Sequence, residues 1–176
     1  MTPGVRKLAL TAHVTCSVGW LGAVAGSLPL AVAGLTSQDA QTVRAVYLTM
    51  ELTGWYVLIP FSLASLLTGL VQSLGTVWGL FRHYWVLTKL LMNVVATLVL
   101  LLYMQTLGRL ADVAGETAVS SSDPRGLRDP SPVLHAAAAL LLLLVATALA
   151  VYKPRGMTRY GRRKQHERRT VSQPAT

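Results

Sequence analysis

A chain of 176 residues that is 52% hydrophobic and only 13% charged carries too little charge for a soluble globular domain, in which about a quarter of residues are charged. The balance is basic, 16 Lys+Arg against 7 Asp+Glu for a formal net charge of +9, and eight of the cations follow Val151. This composition excludes a soluble α/β enzyme and a collagen-like or wholly disordered chain. With Cys16 as the single cysteine, it also excludes a disulfide scaffold.

Four stretches reach the roughly 20 apolar residues that a helix needs to cross about 30 Å of hydrocarbon. They lie at about 8–35, 45–71, 84–107 and 133–152. They are too long for strands and lack the period-2 alternation of a membrane barrel. The expected fold is all-α, a polytopic four-transmembrane-helix bundle over residues 1–152.

The first stretch places His13, Cys16 and Trp20 on one face, at i, i+3 and i+7. Gly22 and Gly26 form a G-x-x-x-G pair with Gly19 close by, a pattern that lets helices approach closely. An alternative reading treats this stretch as a signal peptide cleaved after Ala31-Val32-Ala33. Its apolar run is nearer 28 residues, however, against about 7–15 for a secretory core. A short polar link, 36–44, leads into the second stretch, which carries Met50 and Glu51. Glu51 lies roughly 9 Å from the stretch's start at about 1.5 Å per residue. Arg44 is two turns before it on the same face, and Pro60 should kink the helix by freeing the carbonyl of Tyr56.

Residues 72–83 mix glycines with Trp78 and Phe81, as a segment at the membrane interface would. The third stretch opens with His83, Trp85 and Lys89, the last read as a snorkelling residue, and holds Met104 further on. Residues 108–132 form the longest loop. Pro132 then suits the first turn of the fourth helix, which carries His135 and the small-residue run 136–139. Residues 153–176 hold eight cations and one acid, Glu167, and are expected to be a disordered basic tail.

Counting Lys and Arg sets the orientation. With the C-terminus inside, the inner side holds Arg6, Lys7, Arg82, Lys89 and the eight tail cations. The outer side keeps Arg44, Arg109, Arg125 and Arg128, together with five of the acids. Both termini are therefore expected on the cytoplasmic side. The tail residues Arg162, Arg163, Lys164, Arg168 and Arg169 are expected to contact anionic lipid headgroups, each contributing on the order of 1 kcal/mol. The topology rule already accounts for this charge, which disfavours nucleic acid as a partner.

Ionisable groups inside spans are the candidate functional residues. His13 and His83, from two helices at the inner side, are what axial ligation of a b-type haem would require. The plainer reading has His13 hydrogen-bonded within the bundle and His83 among headgroups. Met50, Glu51, Met104 and His135 share the outer depth and offer ligands for copper, or a proton pathway centred on Glu51. In the plainer reading the methionines fill the core and Glu51 is protonated or paired with Arg44. No catalytic motif appears: there is no G-x-S-x-G, Walker loop, H-E-x-x-H or C-x-x-C.

The runs LTAHVTCSVGWLGAVAG (10–26) and YLTMELTGWYVLIPFSLASLLTGLVQSLGTVWGLFRHYWVLTKLL (47–91), with the basic end, resemble an uncharacterised family of small actinobacterial integral membrane proteins. That resemblance implies a four-helix inner-membrane protein with no assigned reaction. His13 followed by Trp20-Leu21-Gly22 is also similar to the first helix of copper-resistance D-type membrane proteins, although the rest of that pattern is missing. The expectation is a non-enzymatic accessory component of the bacterial plasma membrane. It would need no cofactor and would associate with itself or a partner protein through the small-residue face of the first helix. A haem or copper protein and a small transporter or proton-pathway subunit are the alternatives.

Overall fold

A computed structural model describes residues 2–75, 83–116, 128–152, 156, 158 and 161–163. The described residues are 93% helical with no strands, and four helices are long and apolar enough to cross a membrane. The chain is an all-α, multi-pass membrane protein. The first span is α1 (Pro3–Thr36). The second joins α2 (Ala40–Thr53) to α3 (Ile59–Gly75) through a π turn, and α4 (Tyr84–Glu116) and α5 (Ser131–Tyr152) complete the set.

The helix ends follow from local chemistry. Thr2 Oγ1 accepts from the Val5 N–H, and Pro3 occupies the first turn, where its missing N–H leaves nothing unpaired. Helix one therefore starts before the expected Leu8. At its other end the Ser37 N–H donates to the Ala33 carbonyl. Asp39 then caps α2: its carboxylate accepts from the N–H groups of Gln41 (3.3 Å) and Thr42 (3.0 Å) and from the Thr42 hydroxyl (2.6 Å). The expected link over 36–44 thus shrinks to residues 37–39, because a capped start makes the polar AQTVR segment helical.

Helix α4 likewise outruns its expected end at Leu107. Leu107, Ala111 and Ala114 are buried at helical spacing while Arg109 and Asp112 are exposed, so the helix becomes amphipathic where its apolar run stops. The loop expected over 108–132 is shortened at both ends; its residues 117–127 lie outside the described ones, as do 76–82 of the expected interfacial segment. Asp129 Oδ1 accepts from the Ser131 N–H at 2.8 Å and opens α5, with Pro132 buried in its first turn.

A π turn stands ahead of Pro60 in the second span. Over Gly54–Leu58 the ladder widens, and the Ile59 N–H reaches the Gly54 carbonyl. Proline offers no N–H to the Tyr56 carbonyl, and the wider turn ahead of it absorbs the mismatch.

The four spans form an antiparallel ring. Helix α1 contacts α2, α3 and α5; α4 contacts α2 and α3 on one side and α5 on the other. One end carries the 37–39 turn and the start of α5 (the loop end). The other carries Thr2 and the described residues 156, 158 and 161–163 (the termini end). Two apolar clusters hold the ring together. The first, towards the loop end, contains Val43, Tyr47, Met50, Ile59, Met104 and Leu107; the second joins Trp20 and Val24 to Leu58 and Leu143. Leucines and valines such as Leu67, Leu102, Leu134 and Leu141 point outward, as they do where lipid is the solvent.

Candidate functional site

Two groups of polar side chains sit within the spans, one at each end. At the loop end Met50 and Met104 are both buried in the first apolar cluster. Gly54 has no Cβ, and Met104 fills the notch that this leaves: a Cβ there would come within 2.5 Å of Met104 Sδ. The Glu51 carboxylate packs against Gly108, its Oε1 3.6 Å from where a Cβ would stand. Glu51 and Arg44 share a helix, but no ion pair joins them, so the expected pairing does not form; Arg44 is exposed.

His135 stacks on Tyr103 with ring centroids 4.0 Å apart and planes 16° from parallel. Its Nδ1 lies 2.9 Å from the Ser131 carbonyl, which can only accept, so Nδ1 carries the proton and donates. The Tyr103 hydroxyl is buried beside Ser131 without a hydrogen bond of good geometry, and Tyr47 meets the Asp129 main chain. The thioethers thus face the core while Glu51 and His135 have other neighbours. Among the described residues no group of three or more His, Cys, Asp or Glu is placed to hold a metal ion.

At the termini end α1 and α3 are joined by a polar ladder. Ser17 Oγ and Ser65 Oγ are 2.8 Å apart, and one turn further along His13 Nδ1 is 3.1 Å from Thr68 Oγ1. The single Thr68 hydroxyl proton is committed to the Ala64 carbonyl at 2.6 Å. The hydroxyl therefore accepts from His13, which puts the imidazole proton on Nδ1 and leaves Nε2 as an acceptor. Gly69 makes room for the ring, since a Cβ there would lie 3.1 Å from His13 Cε1.

His83 stands apart from this ladder. It precedes α4, its carbonyl accepts from the Val86 and Leu87 N–H groups, and its ring lies 6.4 Å from the ring of Trp85. The structure thus seats His13 on α3 and His83 beside Trp85. Cys16 is half-buried and free.

Of the three glycines expected to pack helices, Gly19 alone does so among the described residues, where a Cβ would lie 2.9 Å from Phe61 Cε1. Gly22 and Gly26 are exposed, with no described neighbour from another helix within 4 Å of their Cβ positions. The close approaches that the sequence reading passed over are at Gly34 against Val46, Gly54 against Met104 and Gly69 against His13. The ladder hydroxyls were also passed over. Their trace in the sequence is the helical spacing of Ser65, Thr68, Gly69 and Gln72 on one stretch and of His13 and Ser17 on another.

Of the tail expected to be disordered, residues 156, 158 and 161–163 are among those described. The Tyr84 N–H donates to the Gly156 carbonyl at 3.4 Å. Thr158 is buried and caps a helical turn by accepting from the N–H groups of Gly161 and Arg162. Arg162 and Arg163 are exposed on that turn, while Lys164, Arg168 and Arg169 lie outside the described residues.

No family model, curated protein or solved structure matches the chain.

Proposed function

We propose that this protein is a non-catalytic accessory component of the bacterial plasma membrane that pairs with a second copy of itself through α1, with both termini in the cytoplasm. One observation carries the association: among the described residues, the G-x-x-x-G pair is unused by the chain's own bundle. Gly22 and Gly26 face outward with open space over their Cβ positions, and the β-branched Val18 beside them is 62% exposed. Small residues let two helix backbones approach closely, and in lipid such contact is the main drive for helix pairing. The cytoplasmic placement of the termini rests on the excess of Lys and Arg at that end, twelve against four. The bacterial membrane rests on the resemblance to the small actinobacterial family.

Copurification of two differently tagged copies from mild detergent tests the reading. Gly22→Ile with Gly26→Ile should abolish copurification and leave the melting temperature of the monomer intact, because neither Cβ position has a described atom of another helix within 4 Å. Unchanged copurification of that variant, or none with the wild type, would defeat it.

A further inference from the structure

Two donor side chains at the termini end have no paired carboxylate or carbonyl among the described residues. Gln72 lies one turn beyond Thr68 along α3, and its Nε2 is buried with no hydrogen-bond partner among the described residues. Lys89, in the second turn of α4, is half-buried, and its Nζ sits 5.9 Å from the centre of the Trp85 ring. Among the described residues no carboxylate or carbonyl pairs with that ammonium. Lys89 also stands within electrostatic reach of the His13 ring. Gln72 is three residues from the end of α3 and Lys89 five from the start of α4, so the two side chains leave neighbouring antiparallel helices at nearly the same depth.

We propose that the mouth between α1, α3 and the start of α4, at Gln72, Lys89 and Trp85, holds the phosphate of an anionic phospholipid. A buried amide N–H and a half-buried ammonium without acceptors are each costly in a bundle surrounded by lipid. One phosphate would satisfy both. A membrane phosphate is the occupant that fits the place. The Lys89 side chain runs back towards Trp85, an interfacial residue type, and so brings its charge to headgroup depth rather than to the bilayer centre. This site differs from the tail contacts of Arg162 and Arg163, which are exposed on their own turn. Its assignment to the inner leaflet rests on the proposed cytoplasmic placement of the termini; the site itself does not.

The test is lipid binding to the full chain in detergent by native mass spectrometry, with melting temperature measured in parallel. The probes are dioleoylphosphatidylglycerol, dioleoylphosphatidylcholine and inorganic phosphate. Micelles have no sidedness, and the Gly22→Ile/Gly26→Ile variant can be used, so orientation and pairing do not enter the result. The phosphatidylglycerol should bind more tightly than the phosphatidylcholine and raise the melting temperature. Lys89→Gln should weaken its binding about tenfold, the loss of one charge-assisted hydrogen bond. Lys89→Arg and the double tail variant Arg162→Gln/Arg163→Gln should retain it. Gln72→Leu covers the case in which Lys89→Gln does not fold: with its unpaired donor removed, the lipid-free protein should melt no lower, yet gain less from phosphatidylglycerol. Equal binding of the two lipids, unchanged binding in Lys89→Gln, or loss confined to the tail variant would overturn the site. Displacement of the lipid by millimolar inorganic phosphate would overturn its assignment to lipid.

Discussion

The two ends of this bundle are held together differently. At the loop end the helices meet through buried apolar bulk: Met104 enters the notch at Gly54, and Tyr47, Met50 and Leu107 close around it. At the termini end they meet through hydrogen bonds, Ser17 to Ser65 and His13 to Thr68, with the Gln72 amide and the Lys89 ammonium left over. The comparison separates two ways of joining helices where water gives no hydrophobic drive. Shape complementarity fills its own space and leaves nothing to add. A polar ladder satisfies most of its groups, and the donors it leaves unpaired favour a further ligand.

The sharpest way to break the contrast is to spoil the loop end. Gly54→Leu overfills the notch and should cost about 3 kcal/mol, read as lowered resistance to denaturation in detergent. Adding Met104→Ala should restore part of that loss by vacating the space. Stability that falls further in the double variant would show that the notch is not what holds this end. The ladder should respond less. A cycle of His13→Leu and Thr68→Val is expected to show a coupling of about 0.6 kcal/mol, typical of an interhelical hydrogen bond in a bilayer protein. Full additivity of the two variants would mean that the 3.1 Å contact contributes nothing.

The smallest effect concerns the 37–39 turn at the loop end. The Thr42 hydroxyl, and after it the N–H groups of Thr42 and Gln41, hold the Asp39 carboxyl below its ordinary value of 3.8. A depressed carboxylate stabilises the fold above its unfolded value and loses that contribution as pH falls through the lowered one. Melting temperatures taken from about pH 6 down to about pH 3 should therefore fall slightly more steeply for the wild type than for Asp39→Asn, which keeps a cap but has no charge to lose. Parallel curves would remove Asp39 from the account.

Much of the fold was legible along the chain. Apolar runs of sufficient length mark four spans, since a bilayer requires length and hydropathy before anything else. Their ends were less legible, because capping and amphipathic continuation act below the scale of an apolar run. Asp39 with Thr42 pulls α2 back to Ala40, and Leu107, Ala111 and Ala114 carry α4 on to Glu116. Of the candidate site, the sequence marked His13 and Lys89 as expensive residues but not their neighbours Thr68, Gly69 and Gln72. Serines, threonines and glycines are ordinary in membrane helices, and they become informative only when the opposite helix is in place.

By itself the sequence determined the class of the molecule: all-α, membrane-spanning, with four crossings and a basic end. Each of these is a property of one segment read against the solvent around it. Only the tertiary structure decided which glycines face a neighbour. Gly19, Gly54 and Gly69 are occupied while Gly22 and Gly26 stay open, although all five look alike along the chain. Helix rotation about its own axis sets that difference. It is chosen by the contacts of the whole ring, so no single segment contains it.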